Sequence, residues 1–71
     1  MFLCPITQEV MKDPVMAGDG YTYERLAIES WLVNHATSPI TNSKLPHKHL
    51  IANHSLRSAI MEWQHKHGTQ T

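Results

Sequence analysis

One cysteine, Cys4, is all the chain contains, and its isolation excludes a good deal. Without a second thiol there is no disulfide within the chain, and a tetrahedral zinc site built on paired cysteines has no ligands to draw on. A lone thiol also fits a reducing compartment. Charge is equally scarce: six Lys+Arg balance six Asp+Glu, a formal net charge of zero with neutral histidine. The basic stripe that a phosphate backbone demands is missing, so nucleic acid is not an expected partner. No apolar run approaches a membrane span, and Met1-Phe2-Leu3 is too short for the apolar part of a signal peptide. Seventy-one residues make one small domain, whose core supplies only about 3–5 kcal/mol. Polar interactions must therefore add to apolar burial.

What is present falls into short, differently patterned pieces. Residues 1–14 read as a loop, because Pro5 and Pro14 each restrict the residue before them and lack an amide donor. Val10 and Met11 are its inward-turning residues. Val15-Met16-Ala17 and Tyr21-Thr22-Tyr23 flank Gly18-Asp19-Gly20, and Asp-Gly between short apolar runs predicts an antiparallel hairpin. From Glu24 to Asn34 the period changes: Ala27, Ile28, Trp31 and Leu32 share one helical face, with Glu24 placed to suit the helix dipole. Pro39 forbids continuation, and residues 39–52 read as a second long loop anchored by Leu45 and Leu50. Asn53 is a good N-cap for a second helix, with Leu56, Ala59, Ile60 and Trp63 on one face and Gly68 at its end. No internal repeat is read. The expected fold class is α+β: a small hairpin, a central helix, two long loops and a C-terminal helix, over residues 1–67, with 68–71 a flexible tail. The pieces begin almost at residue 1, so the chain is expected to be a module of a longer protein.

Three groups of residues carry a resemblance. They are Cys4-Pro5-Ile6 with Met11-Lys12-Asp13-Pro14-Val15; Gly20-Tyr21-Thr22-Tyr23-Glu24-Arg25 with Ile28 and Trp31-Leu32; and Ser38-Pro39-Ile40-Thr41-Asn42 with Leu45, Leu50-Ile51-Ala52-Asn53, Leu56-Arg57, Ile60 and Trp63. Each is weak alone, but their joint order and spacing are specific. Over residues 2–64 the chain resembles the U-box family, the zinc-free relative of the RING domain found in ubiquitin ligases. The resemblance implies no cofactor and no metal. It implies a partner, a ubiquitin-conjugating enzyme charged with ubiquitin, which the domain would hold ready for attack by a substrate lysine without forming a covalent intermediate of its own. Such catalysis is proximity and preorganisation, in keeping with a chain that shows no nucleophile paired with a base. The working protein would then sit in a eukaryotic cytosol or nucleus, or in a host cytosol if it is a secreted bacterial effector.

The resemblance also assigns residues. Pro5, Ile6 and Gln8 in the first loop, Trp31 on the helix, and Ser38, Pro39 and Ile40 in the second loop are the expected contacts to the conjugating enzyme. Ile6 is the apolar anchor, and apolar groups at an interface centre carry most of its energy. Asn42 stands where several active relatives have an arginine that bridges conjugating enzyme and ubiquitin, and asparagine is shorter and uncharged. Asp19, Tyr21, Glu24, Arg25, Asn53 and Arg57, with Asn42, are candidates for the polar network that stands where zinc would be, and Tyr23 offers ring packing beside them. Cys4 is read as structural, since free cysteine is among the most buried residue types. The six histidines read as solvated: His47-x-His49 and His65-x-His67 do not share a helix face. Two rival readings stand beside the ligase. One is a degenerate U-box that holds a substrate or another protein in the same groove without ligase activity, suggested by Asn42 and Gln8. The other is a homodimerisation module using the closing helix, suggested by Met61 and Trp63.

Overall fold

A computed structural model describes residues 2–66; Gly68 and the 68–71 tail lie outside the described residues. Strand β1 (Pro14–Met16) is central, between β2 (Thr22–Glu24) and β3 (Ile51–Ala52), and both pairings are antiparallel. Helix α1 (Arg25–Asn34) follows β2 directly, and α2 (His54–Lys66) follows β3. Proline is tolerated in the central strand because Pro14 is its first residue, where no ladder amide is needed; its carbonyl accepts the Asn53 amide. The register sets Val15 against Tyr23 on one side and Ala52 on the other.

The hairpin follows the expected position and turn chemistry. The Ala17 amide donates to the Tyr21 carbonyl and the Gly20 amide returns to the Ala17 carbonyl, with Gly20 at φ 83°. This is a three-residue loop closed by a left-handed glycine, a shape that a Cβ would strain. Gly18 has a different reason. A Cβ there would lie 2.9 Å from the His47 carbonyl oxygen, so the turn packs directly on the 46–47 segment.

The third strand departs from the sequence reading, which placed residues 39–52 in a loop. Two residues are too few to show a period; Ile51 and Ala52 are extended because they pair with Met16 and Val15, a long-range reason absent from the local sequence. Helix α2 starts as expected, with the Asn53 side chain accepting the Leu56 amide at 3.0 Å. Its inner face is Leu56, Ile60 and Trp63; Ala59 turns out exposed. The core gathers Cys4, Met11, Val15, Tyr23, Ile28, Leu32, Leu45 and Ile60, with Val10 and Leu50 packed against it. Trp63 meets Phe2 edge to face at 5.8 Å, so one of the two residues that motivated a dimerising helix packs within its own chain.

The chain also contains a repeat that the sequence reading denied. Cys4-Pro5-Ile6-Thr7-Gln8 and Ser38-Pro39-Ile40-Thr41-Asn42 are variants of one five-residue phrase, and they fold alike. Gln8 donates its amide to the Cys4 carbonyl as Asn42 does to Ser38, at 2.8 and 2.9 Å. Cys4 donates to Glu9 as Ser38 does to Ser43. The Thr7 and Thr41 hydroxyls accept the amides of Glu9 and Ser43, each at 3.2 Å. Gln8 and Asn42 both have positive φ, 64° and 67°. Antiparallel bridges, Leu3–Val10 and Thr37–Lys44, close the two loops at their bases. Substituting Cys for Ser and Gln for Asn hides the repeat from a search for identity, although each exchange keeps the hydrogen-bonding capacity that the turn uses.

Candidate functional site

Two consecutive residues of β2 brace the two loops. Glu24 holds the first. Its carboxylate accepts the amides of Lys12 at 2.7 Å and Asp13 at 3.1 Å, and its own amide donates to Cys4 Sγ at 3.3 Å. The carboxylate is thus committed to the loop and makes no hydrogen-bonded cap, although Glu24 stands at the N-cap of α1, as its position in the sequence suggests. Tyr23, fully buried, holds the second loop through Asp19. Asp19 Oδ2 accepts the Tyr23 and Ser38 hydroxyls, both at 2.6 Å, while Oδ1 accepts the Tyr21 amide. Ser38 Oγ in turn accepts the amides of Ile40 at 3.1 Å and Thr41 at 3.0 Å. Each loop therefore turns around a buried side chain, Cys4 or Ser38, that accepts its amides and is tied to β2 or the hairpin.

The electrostatics follow from these contacts. Burial opposes ionisation of Asp19, but the hydrogen bonds from Ser38, Tyr23 and the Tyr21 amide outweigh it and hold the carboxyl below its ordinary 3.8. Burial, reinforced by the adjacent Asp19 carboxylate, raises the Tyr23 phenol well above its ordinary 10.0. A carboxyl lowered on folding contributes stability above 3.8 that is lost as pH falls through the folded value; a phenol raised on folding contributes stability below 10.0 that is lost as pH rises. Thermal melts across the acid and alkaline ranges should show both losses. Asp19→Asn should flatten the acid limb and Tyr23→Phe the alkaline limb; an unchanged alkaline limb in Tyr23→Phe would contradict the assignment.

The other network candidates divide. Arg25 Nε pairs with Asp13 Oδ2 at 2.7 Å, and the Arg25 amide donates to the Asp13 carbonyl; the pairing with Asp13 raises the guanidinium pKa. Asp13 itself was missed, since nothing local marks a residue whose partner lies on the far side of a hairpin. Asn53 serves as the cap described above. Tyr21 contributes its amide but leaves its ring exposed. Arg57 is exposed, and its side chain takes no part in a hydrogen bond or ion pair among the described residues. Asn42 contributes its amide and its left-handed backbone, with its side chain exposed.

Of the residues assigned to partner contact, Ser38 needs correction. It is 1 % exposed and wholly engaged in bracing, so it shapes the loop from inside. Pro5, Gln8 and Ile40 are exposed, while Ile6, Trp31 and Pro39 are half-buried. Gln8 Nε2 donates to the Pro5 carbonyl at 3.1 Å, which stiffens the loop tip. Trp31 Nε1 donates to the Thr37 carbonyl at 2.6 Å and so ties α1 to the base of the second loop. Its indole is covered on one face by the His35 ring, stacked at 3.7 Å with 9° between planes, a contact that the reading of solvated histidines did not foresee. A separate open cleft of about 420 Å³ lies between α1 and the 48–50 segment, lined by Arg25, Glu29, Leu32, Val33, Lys48, His49 and Leu50. Apart from Arg25, it involves none of the candidate site residues. Cys4 is fully buried, with Sγ accepting the Ile6 and Glu24 amides. No group of three or more His, Cys, Asp or Glu residues is placed to hold a metal ion among the described residues, and none of their helices is long and apolar enough to cross a membrane.

A small α+β unit with two matched loops, cross-braced by side-chain hydrogen bonds onto adjacent residues of one strand, has the RING-like architecture expected from the sequence. Comparison with known proteins makes this specific. The family model described as U-box domain matches residues 1–69. U-box domain-containing protein 33 of Arabidopsis thaliana is 63 % identical over 67 residues, covering 93 % of this chain and 8 % of that protein. U-box domain-containing protein 37 of Arabidopsis thaliana is 60 % identical, covering 90 % of this chain and 16 % of that protein. U-box domain-containing protein 70 of Oryza sativa subsp. japonica is 58 % identical, covering 93 % and 8 %. The chain belongs to the U-box family of ubiquitin-ligase-related domains, and it spans only a small part of the length of these relatives.

Proposed function

We propose that this domain is a ubiquitin ligase module that binds a ubiquitin-conjugating enzyme charged with ubiquitin and holds it ready for transfer to a lysine. The supporting observation is the bracing. Pro5-Ile6 and Pro39-Ile40 are carried on two loops of the same construction, and their side chains stay out of the hydrogen-bonded braces that fix those loops. Apolar residues on rigid loops lose little freedom when a partner docks. The one thiol is not available as a nucleophile, since it is buried and serves as a hydrogen-bond acceptor. Substrate selection belongs to other parts of a longer protein. Single-turnover discharge of ubiquitin from a panel of charged conjugating enzymes onto free lysine tests this reading. Acceleration with at least one of them is expected, and none with any, by a folded domain, would refute it.

Asn42 supports the second reading, a groove that binds without activating. Its side chain is exposed, at the position where the family resemblance implies an arginine in several active relatives. If the module is a ligase of moderate strength, Asn42→Arg should accelerate discharge by about tenfold, the worth of one charge-assisted hydrogen bond. The cost is about 1 kcal/mol of stability, because arginine accepts the left-handed backbone less readily than asparagine. Parallel discharge assays and melts of the two proteins check both parts.

A further inference from the structure

His35 closes α1 in extended conformation, with φ −135° and ψ 147°. Its Nδ1 lies 3.0 Å from the Trp31 carbonyl oxygen. That carbonyl lies in the last full turn of the helix; the next one along, of Leu32, accepts from Lys48 Nζ at 3.1 Å. A carbonyl oxygen only accepts, so Nδ1 must carry the proton. In the neutral ring Nε2 is then a bare acceptor. It sits on the far side of an exposed ring and has no hydrogen bond among the described residues. The ring is not free to turn: it is hydrogen-bonded through Nδ1 and stacked on Trp31, whose indole is itself fixed by the Thr37 carbonyl.

We propose that His35 Nε2 is a preorganised acceptor beside Trp31, which takes a hydrogen bond from an N–H or O–H donor of the docked conjugating enzyme and so helps select among such enzymes. This rests on the ligase reading above and names a recognition group for it. An exposed side chain held by two independent contacts offers its lone pair without the ordering cost that a mobile histidine would incur. The stacked face is hidden by Trp31, so recognition is through the ring edge, and the donor must approach nearly in the plane of the imidazole, which lies parallel to the indole and is stacked on it.

Two measurements test it on the intact domain. Long-range proton–nitrogen NMR of the free protein should show His35 protonated at Nδ1 and bare at Nε2; the opposite tautomer would overturn the proposal before any partner is added. Addition of an active conjugating enzyme should then move the Nε2 resonance while the tautomer is kept. In discharge assays His35→Phe retains an aromatic ring for the stack and removes both nitrogens. The domain concentration giving half-maximal rate should rise about fivefold to tenfold with an unchanged maximal rate, the loss of one hydrogen bond. His35→Leu, which also loses the stack, should lower the maximal rate as well if Trp31 moves. Unchanged half-saturation in His35→Phe together with a still Nε2 resonance, while the wild type discharges normally, would overturn the role of His35 and leave the ligase reading intact. Absence of discharge by the wild type would instead overturn the ligase reading, and this inference with it.

Discussion

Asp19→Ala should destabilise the domain by about 2–4 kcal/mol, because hydrogen bonds to a charged acceptor are worth more than neutral ones and their loss strands buried donors. For a small domain whose core supplies only about 3–5 kcal/mol, that is enough to unfold much of the population. Two hydroxyls lose their acceptor at once: Tyr23, fully buried, and Ser38, 1 % exposed. The Tyr21 amide loses its partner too, but that end of the turn is exposed and water can replace the carboxylate. Asp19→Asn should fall between, since an amide oxygen still accepts but carries no charge. Tyr23→Phe removes donor and need together and should cost only about 1 kcal/mol. Removing the Asp13–Arg25 ion pair should cost the least of these, because both side chains are well exposed and the pair is screened by solvent. Urea unfolding of these variants orders them. Asp19→Ala unfolding at the wild-type urea concentration would show that the carboxylate does not brace the loop.

This ordering reflects what the sequence could and could not reveal. The elements set by local chemistry were readable: the glycine-closed hairpin, the face of α1, the Asn53 cap, and the inward Met11 and Leu45. The family pattern was readable because it is spread along nearly the whole chain. Pairings between distant residues were not. Glu24 reads as a helix-dipole residue from its position, and nothing local shows that its carboxylate also accepts the amides of Lys12 and Asp13. Ser38 looked like a surface residue beside an interface proline until it proved to be the buried hub of its loop.

The repeat is the instructive miss. From sequence Cys4 reads as a core thiol and Ser38 as a partner-contact residue. In the fold they perform one task, accepting the amides of a tight loop whose fifth residue is left-handed. Asn42 also reads differently as the counterpart of Gln8. Asparagine is the side chain most at ease at positive φ after glycine, so its presence has a backbone reason independent of any role toward ubiquitin.

The repeat sharpens the prediction with the largest effect on activity. Ile6→Ala should lower single-turnover discharge by about thirtyfold, the worth of an interface hot spot near 2 kcal/mol. Pro39→Ala should do likewise by removing the ring and its fixed φ from the opposite loop. Ile6 is half-buried against the core, so its truncation also costs about 1–2 kcal/mol of stability, and lost activity alone would be ambiguous. Val10→Ala supplies the control: it lies in the same loop, equally packed on the same core, and should cost similar stability while leaving discharge unchanged. Ile40 then separates a groove with one anchor from a groove with two. It occupies the Ile6 position of the second loop but is 43 % exposed, so Ile40→Ala should scarcely alter the melting temperature. If both repeats engage the partner, discharge should fall severalfold all the same; if the groove is centred on Ile6 and Pro39 alone, Ile40→Ala should be silent. Full activity in both Ile6→Ala and Pro39→Ala, with melts showing them folded, would remove the groove centred on these two residues.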